Sequence, residues 1–364
     1  MVMVARHASS HRSGRGFTLV ELLVVVAIIA LLIGVLLPAL GKARVASQSA
    51  IGMSNVRQLA LSQSSYAARN ADWLAGPVTS GVRGIIKGGS NYLRSTSAAT
   101  PTTTHDWVSP CLGDELDFSP NRAERTHQLF SKFRCPRANE TSVLFPNSGG
   151  PADRDDFERI VNEKGGFGQV SYLAPAAFLY APPATKNSRA KAAWAPRQML
   201  TEFPSGETAY TRTLASYPDP FATPTSYRPQ MSSIKNSSMK SAVADGTRYV
   251  ATGSSFGQTA VLDFDFSLAP GEYGSFLASP PTFLNSKEYS RAYGSSIREV
   301  NVDYSMRFPG RQMHVGFWDG HSERINSVRA WTDGALWNPS GSEYTGKSGT
   351  PEVAKSYKVG EKLP

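Results

Sequence analysis

The feature that most constrains this chain is an apolar stretch near its N-terminus that contains a single acidic residue. Residues 22–39 carry no charged or polar side chain. With residues 17–20 they make a run of about 20 apolar positions, enough to cross the ~30 Å hydrocarbon core of a bilayer. Glu21 interrupts this run. A carboxylate beside hydrocarbon is costly unless it is paired, so an acid at this position indicates a function.

The charges that flank the apolar run favour one orientation slightly. Three arginines precede the run, while Lys42 and Arg44 follow it, so the bias is toward a cytoplasmic N-terminus. An ordinary secretory signal peptide, cleaved near Ala39-Leu40-Gly41, is the main alternative because it also joins a basic start to an apolar stretch. The length of the run and the presence of Glu21 both argue against that alternative.

The segment Arg15-Gly16-Phe17-Thr18-Leu19-Val20-Glu21 resembles the N-terminal signal of type IV pilins and type II secretion pseudopilins. The resemblance implies a leader at residues 1–16, cleavage by prepilin peptidase after Gly16, and methylation of the new amino group of Phe17. It also implies that Glu21 pairs with that amine on a neighbouring subunit during assembly, which would offset the cost of the carboxylate. The implied partners are membrane lipid, other pilin-like subunits, and an inner-membrane assembly platform with its ATPase.

The helix that begins in the apolar run is expected to continue beyond it. Residues 17–40 form its transmembrane half and residues 41–75 its amphipathic half, with a kink at Pro38. Apolar residues at three- and four-residue spacing predict one stripe that lies on a sheet; they are Val45, Met53, Val56, Leu59, Ala60, Tyr66 and Ala67.

Residues 76–339 are expected to form an exported body of α+β class, with an antiparallel sheet and long loops. The chain has 31 Gly and 24 Pro, which favours a loop-rich, strand-containing domain over a helical bundle. Asp245-Gly246 and Asp319-Gly320 each separate strand-like runs and predict β-hairpins in which both turn residues have positive φ. Residues 259–266 alternate as a half-buried strand does, and the polar residues 340–364 predict a poorly ordered tail.

The body resembles large pilin-like proteins with an H-x9-DG C-terminal domain, which are abundant in planctomycete-type bacteria. The resemblance rests on three short motifs in the expected order, Ser54-Asn55-Val56-Arg57-Gln58, Phe133-Arg134-Cys135-Pro136 and Phe317-Trp318-Asp319-Gly320-His321. The chain departs from that pattern at Pro309, where a histidine is expected, and at His314, where the family often has asparagine. These departures leave membership of this subfamily open.

Cys111 and Cys135 are the two cysteines of the chain. An exported body would favour a disulfide between them, and two free thiols are the alternative. Without paired histidines nearby, the two cysteines do not predict a zinc site.

Weak signals for ligand or substrate chemistry have simpler explanations. Gly253–Gly257 matches G-x-S-x-G around Ser255, but an alternating, strand-like segment follows where a hydrolase needs a helix, so no enzyme is predicted. Asp263 and Asp265 share one strand face and leave calcium open, although no cofactor is required. Four C-terminal aromatic residues suit either a binding platform or a core; they are Phe317, Trp318, Trp331 and Trp337.

The sequence therefore predicts a structural subunit of a pilus-like filament, of the type II secretion or type IV pilus kind, in a minor or tip position. It would be a single-pass inner-membrane protein with a periplasmic or extracellular body. A binding module displayed on the same stem, an adhesin or a polysaccharide- or DNA-capture domain, is the alternative. Nucleic acid is not an expected partner, because the excess of 38 basic over 29 acidic residues includes no dense basic run.

Overall fold

The structure is a computed structural model, and it describes the greater part of the chain. The described residues are 18–81, 93–94, 96–139, 141–142, 153–180, 199–202, 208–211, 220–247, 250–251, 261–262, 275–284, 286, 288–289 and 302–364. Within them the chain has the predicted α+β class. The chain divides into two compact units, Met1–Ser47 and Gln48–Pro364.

Some sequence-based predictions concern residues outside the described ranges. They include the leader with Gly16 and Phe17, the Gly253–Gly257 match, and the carboxylates of Asp263 and Asp265. These expectations stay predictions.

The described helices are α1 (Leu19–Arg69), α2 (Val108–Leu112), α3 (Arg122–Lys132), α4 (Arg154–Lys164), α5 (Ala176–Leu179), α6 (Ser327–Thr332), α7 (Gly334–Trp337) and α8 (Pro351–Ser356). The described strands are β1 (Thr141–Ser142), β2 (Phe167–Gly168), β3 (Tyr172–Pro175), β4 (Met199–Glu202), β5 (Thr208–Thr211), β6 (Phe221–Ala222), β7 (Ser241–Asp245), β8 (Val250–Ala251), β9 (Val261–Leu262), β10 (Leu277–Ala278), β11 (Gln312–Phe317), β12 (Ser322–Asn326) and β13 (Glu343–Tyr344).

Helix α1 forms as the sequence predicts, and it continues through Pro38. It ends at Arg69, a few residues before the predicted limit, where Ala71 and Asp72 adopt positive φ and the amide of Asp72 donates to the carbonyl of Ala67. Left-handed residues of this kind terminate helices because they redirect the chain and satisfy a last-turn carbonyl.

The C-terminal part of α1 buries one stripe within the unit Gln48–Pro364. Arg57 and Arg69 lie on the opposite, exposed side of the helix. Gln63, a polar residue within the apolar pattern, is buried. Its side chain makes two hydrogen bonds to the backbone of Ala75, both at 3.0 Å: the amide nitrogen donates to the carbonyl and the amide oxygen accepts from the backbone N–H. The predicted stripe is confirmed from Val56 to Ala67, whereas Val45 and Met53 are only half-buried. The buried residues of the helix are Ser49, Gly52, Val56, Leu59, Ala60, Ser62, Gln63, Tyr66 and Ala67.

The central sheet of the body has five strands in the order β10-β3-β7-β11-β12. The pairs β3·β7, β7·β11 and β11·β12 are antiparallel, whereas β10 runs parallel to β3. The prediction of an antiparallel sheet is therefore wrong at this edge. Two hydrogen bonds hold β10 at this edge: the Phe276 carbonyl accepts from the Ala174 amide and from the indole of Trp107, both at 3.0 Å.

Of the two predicted hairpins, one is present, whereas the described strands of the other pair with different partners. Strands β11 and β12 pair around Asp319-Gly320 with Gly316 opposite Ser322. By contrast, β7 ends at Asp245 and pairs with β3 and β11, while β8 pairs with β9. Gly246 serves close packing instead of a hairpin turn, because a Cβ there would lie 2.6 Å from Cδ1 of Leu173.

The segment after Ser340 is ordered, so the prediction of a poorly ordered tail is wrong. Strand β13 pairs with β6, and α8 begins at Pro351 with the Thr350 side chain as its N-terminal cap. The segment is polar on average, but a few of its apolar residues pack in one core with β6. This core comprises Phe221, Ala335, Tyr344, Val353 and Leu363.

Candidate functional site

The N-terminal end of α1 is built as a capping box. Thr18 precedes the helix, and its hydroxyl accepts a hydrogen bond from the Glu21 amide at 3.2 Å. In return, Oε2 of Glu21 accepts from the Thr18 amide at 2.9 Å and from its hydroxyl at 2.8 Å. The Ser/Thr-x-x-Glu spacing produces this exchange because residues three apart meet across the first turn. Glu21 thus has a local role that sequence reasoning missed, although Thr18 and Glu21 carry its signature.

The capping box leaves part of the Glu21 carboxylate available. Both contacts use Oε2, so Oε1 has no hydrogen-bond partner within the described residues. An amine from another molecule can therefore approach Oε1 without breaking the cap. The geometry is compatible with the pairing that the sequence resemblance implies.

The apolar residues that follow Glu21 are exposed. The exposed fractions of the large apolar side chains among them run from 44% at Val25 to 70% at Leu31. This helix alone, among those the structure describes, is long and apolar enough to cross a membrane, and the window that qualifies is entirely unburied. So large an apolar surface requires lipid or another apolar surface to cover it.

A row of polar side chains crosses three neighbouring strands of the body. Tyr172 on β3 lies opposite Asp245 on β7. Asp245 in turn contacts His314 on β11, whose backbone amide donates to Oδ2 of Asp245 at 2.7 Å. We call Tyr172, Asp245 and His314 the polar row. All three are buried, and burial raises the pKa of the Tyr172 hydroxyl far above its ordinary value.

Helix α1 meets the polar row at two points. The Ser49 hydroxyl lies 2.9 Å from Nε2 of His314, and the Asn55 amide donates to the Tyr172 hydroxyl at 3.3 Å. Small residues allow this approach: a Cβ on Gly52 would lie 2.6 Å from Nδ1 and Cε1 of His314. These contacts specify both the rotation and the axial position of this part of α1 on the sheet.

Arg307 lies beside Asp245, the middle member of the polar row, and balances its charge. Its Nη1 lies 3.7 Å from Oδ1 of Asp245, and its Nη2 donates to the carbonyl oxygens of Gly246 at 2.6 Å and Val170 at 3.3 Å. A buried carboxylate is tolerated when a cation and hydrogen-bond donors surround it. Sequence analysis missed Arg307, and it assigned Asp245 to a turn.

Ser49, His314 and Asp245 have the residue types of a catalytic triad but not its accessibility. Nδ1 of His314 lies 2.9 Å from Oδ2 of Asp245, yet the ring N–H is not aligned with that oxygen for a hydrogen bond. His314 and Asp245 are fully buried, and the hydroxyl of Ser49, a buried residue of α1, contacts His314 on β11. A substrate would reach the Ser49 hydroxyl only if the helix left the sheet, so the arrangement suits helix positioning.

The Asp319-Gly320 turn has a different form from the predicted one. Gly320 has a φ of 88°, whereas Asp319 is not left-handed. The Gly320 amide donates to the Phe317 carbonyl and the Phe317 amide to the His321 carbonyl, both at 2.9 Å. This is a three-residue loop, a tight turn followed by a left-handed glycine, which needs only one residue with positive φ.

The side chains of this turn interact with one another. Oδ1 of Asp319 lies 2.5 Å from Nδ1 of His321, and the His321 ring stacks on Phe317 at 4.1 Å. His321 stays at the turn and does not face His314, which pairs with Arg324. The described residues contain no group of three metal-binding side chains, here or elsewhere.

The C-terminal aromatic residues form core rather than a surface platform. Phe317, Trp318, Trp331 and Trp337 are each at most 5% exposed. Trp318 packs edge-on against Phe178 with centroids 5.8 Å apart. These side chains offer no platform for a sugar or partner.

The two cysteines are free thiols, so the disulfide favoured by an exported body is not formed. They lie in different surroundings: Cys111 is close to Ser62 of α1, whereas Cys135 lies beside Arg307. Burial raises the pKa of both thiols, that of Cys135 to about 11.

Comparison with known proteins identifies one feature. The prokaryotic N-terminal methylation motif matches residues 11–37. No curated protein and no solved structure matches the chain.

Proposed function

We propose that this chain, which carries the methylation motif and long apolar helix of a type IV pilin-like protein, is a minor or tip subunit of a type II secretion or type IV pilus filament. The motif implies processing by prepilin peptidase and assembly with other pilin subunits. We place the cut after Gly16, with Phe17 as the methylated residue. The role requires no catalytic residue and no cofactor of its own.

The exposed apolar part of α1 is the observation that carries the proposal. Its residues from Leu19 to Leu40 are exposed, whereas the residues from Ser49 to Ala67 bury a stripe on the body. One helix therefore provides a surface that membrane lipid can cover before assembly and apolar stems of other subunits can cover afterwards. We expect an inner-membrane platform and its ATPase to drive that transfer, with the body on the periplasmic or extracellular side.

The size of the body favours a minor or tip position. Residues 48–364 form one compact unit, which is bulky for a subunit that repeats along a narrow filament. A copy number far below that of a co-expressed major subunit would support this position. A binding module on the same stem has no comparable support, because the aromatic residues that would have formed its surface are buried.

The first experiment determines the mature N-terminus of the membrane-extracted chain by mass spectrometry, with and without prepilin peptidase. We expect a chain that begins at N-methylated Phe17 only when the peptidase is present. Gly16→Val should block cleavage, because a side chain there hinders close entry of the backbone into the protease. Gly14→Val, a matched change two residues upstream, should be cut normally. A mature chain that begins near Lys42 would refute the proposal.

A second step separates processing from assembly. Glu21→Gln keeps the shape of the side chain and its ability to accept from Thr18, but it removes the charge that would attract a neighbouring amine. We expect this variant to be processed and then to be lost from sheared filaments. Thr18→Ala, which removes the hydroxyl bonds and keeps the carboxylate, is the control and should enter filaments. Normal incorporation of Glu21→Gln would contradict the proposed pairing.

A further inference from the structure

We propose that the β11–β12 hairpin binds a divalent transition-metal ion such as Zn²⁺ through Nε2 of His321 and the carboxylate of Glu323. Asp319 is the partner of the other ring nitrogen of His321. The protein supplies two ligands, and water completes the coordination. All three residues lie within the unit Gln48–Pro364, so the inference goes beyond the filament role and does not rest on it.

The backbone of the hairpin places the two ligands side by side. The Phe317 amide donates to the His321 carbonyl at 2.9 Å, which continues the β11–β12 ladder up to His321. Side chains two residues apart along a strand point to the same face, so Glu323 follows His321 on one face. Nε2 of His321 lies 4.0 Å from Oε2 of Glu323, and the two side chains are 43% and 38% exposed. A metal ion can therefore reach the gap between these atoms from solvent.

Asp319 determines which ring nitrogen of His321 is available. Its Oδ1 lies 2.5 Å from Nδ1 of His321 and accepts from the His321 amide at 3.1 Å. This carboxylate holds the proton of the neutral ring on Nδ1, which leaves the lone pair on Nε2. The ring also stacks on Phe317, with centroids 4.1 Å apart and planes 12° apart. Metal-ligating histidines commonly have such a carboxylate on the other nitrogen, because it fixes the ring and raises its basicity.

The distance between the two ligand atoms suits a transition metal. Bonds of about 2.0–2.1 Å place two ligands of a tetrahedral Zn²⁺ about 3.4 Å apart, so Oε2 of Glu323 has to approach Nε2 by about 0.6 Å. Rotation of the exposed Glu323 side chain supplies this movement. Asp319 lies on the Nδ1 side of the ring and does not face the same ion. The site therefore has two ligands, in keeping with the absence of a three-ligand group from the described residues.

The charges around the hairpin favour a divalent cation. Arg329 binds Oε1 of Glu323, which leaves Oε2 on the side of His321, and its Nε lies 3.7 Å from Asp333. Among these side chains the carboxylates of Asp319, Glu323 and Asp333 face a single guanidinium, so negative charge is in excess. Imidazole suits Zn²⁺, Cu²⁺ and Ni²⁺, whereas Ca²⁺ and Mg²⁺ take oxygen ligands. The combination of His321 with Glu323 thus selects a transition metal.

The test titrates Zn²⁺ into the full chain in detergent by isothermal titration calorimetry, with Ca²⁺ as the comparison ion. Wild type and His321→Gln share every other histidine, including His7 and His11 of the leader, so metal bound elsewhere cancels in the comparison. We expect His321→Gln to lose a single zinc site. His127→Gln, at a half-buried histidine of α3, is the matched control and should keep the wild-type stoichiometry.

Two conservative variants separate metal binding from a purely structural role. Asp319→Asn keeps an oxygen that accepts from His321 but removes the charge that raises the basicity of the ring, and loss of such a partner should weaken zinc binding about 10- to 100-fold. Glu323→Gln replaces a carboxylate ligand by a neutral amide and should also weaken it. Zinc affinity would not change in either variant if the two carboxylates served only the turn and the ion pair with Arg329.

A readout at His321 itself covers the case in which a variant fails to fold. Diethyl pyrocarbonate acylates accessible imidazole nitrogens, and peptide mass spectrometry of the labelled wild type identifies which histidines react. We expect His321 to be labelled in metal-free protein and protected by micromolar Zn²⁺. The proposal is overturned if Zn²⁺ leaves the labelling of His321 unchanged, or if His321→Gln binds as many zinc ions as the wild type. Equally tight binding of Ca²⁺ at the hairpin would also overturn it.

Discussion

Gly52→Ala tests whether α1 is positioned by contact with the polar row. Alanine normally stabilises a helix interior relative to glycine by about 1 kcal/mol. At this position the new Cβ would lie 2.6 Å from Nδ1 and Cε1 of His314, about 1 Å closer than ordinary van der Waals contact. The His314 ring cannot withdraw freely, because Ser49 and Asp245 contact it from two sides.

The expected net effect is a loss of stability. Overpacking a core costs about 1–3 kcal/mol, and displacement of the ring would also remove the Ser49 hydrogen bond, worth about 1 kcal/mol. Against the helix-propensity gain, we expect the free energy of unfolding of the body to fall by about 1–3 kcal/mol. Denaturant unfolding of the detergent-solubilised chain, followed by near-UV circular dichroism of the buried tryptophans, measures this change.

Two further variants make the test specific. A Cβ on Gly41 meets no heavy atom within 4 Å in the described part of the chain, so Gly41→Ala should leave unfolding of the body unchanged. In a His314→Ala background, Gly52→Ala should lose most of its cost because the obstructing ring is gone, which a double-mutant cycle detects. Equal or greater stability of Gly52→Ala in the wild-type background would refute the reasoning.

Two other predictions concern the turn and a buried lysine. Gly320 has a φ of 88°, so Gly320→Ala should lower the free energy of unfolding by about 1–2 kcal/mol in a chemical denaturation experiment. Gly320→Asn should lower it less, because asparagine tolerates the left-handed region. Equal losses for the two variants would contradict the turn geometry. Burial lowers the pKa of Lys240 from 10.5 to about 8, so between these values the unfolded chain binds more protons than the folded one. The free energy of unfolding should therefore rise with pH across that window, by at most about 1.4 kcal/mol per pH unit from this group. Lys240→Met should flatten this dependence on pH. An unchanged slope in the variant would rule out Lys240 as its source.

Local patterns were sufficient for the features that depend on neighbouring residues. The apolar run predicted a helix that can span a membrane, because the length and composition of a segment alone decide whether it is suited to that role. The spacing of Val56, Leu59 and Ala60 predicted which face of α1 is buried, because helix geometry repeats every few residues. Asp319-Gly320 predicted its hairpin because a left-handed glycine is a requirement of the turn itself, although the loop length came out differently.

The wrong predictions share a cause. Asp245-Gly246 has the same local signature as Asp319-Gly320, but β7 lies between β3 and β11 in the sheet, and its carboxylate is needed beside His314. The residues after Ser340 look polar on average, yet Val353 and Leu363 find a core formed with Phe221, more than a hundred residues earlier in the chain. Contacts between segments that are distant along the chain decide the pairing of β7 and the order of the C-terminal segment, and local composition does not predict such contacts.

By itself the sequence determined the start of this protein: an N-terminal methylation motif, an acid at the start of an apolar helix, and an amphipathic continuation, all of which depend on residues close together along the chain. Only the tertiary structure decided that Ser49 and Gly52 meet His314, that Tyr172, Asp245 and His314 form one row, and that Arg307 lies beside Asp245. The physical reason is that burial and hydrogen bonding depend on which strands and helices become neighbours, and that choice is made by the packing of the whole body.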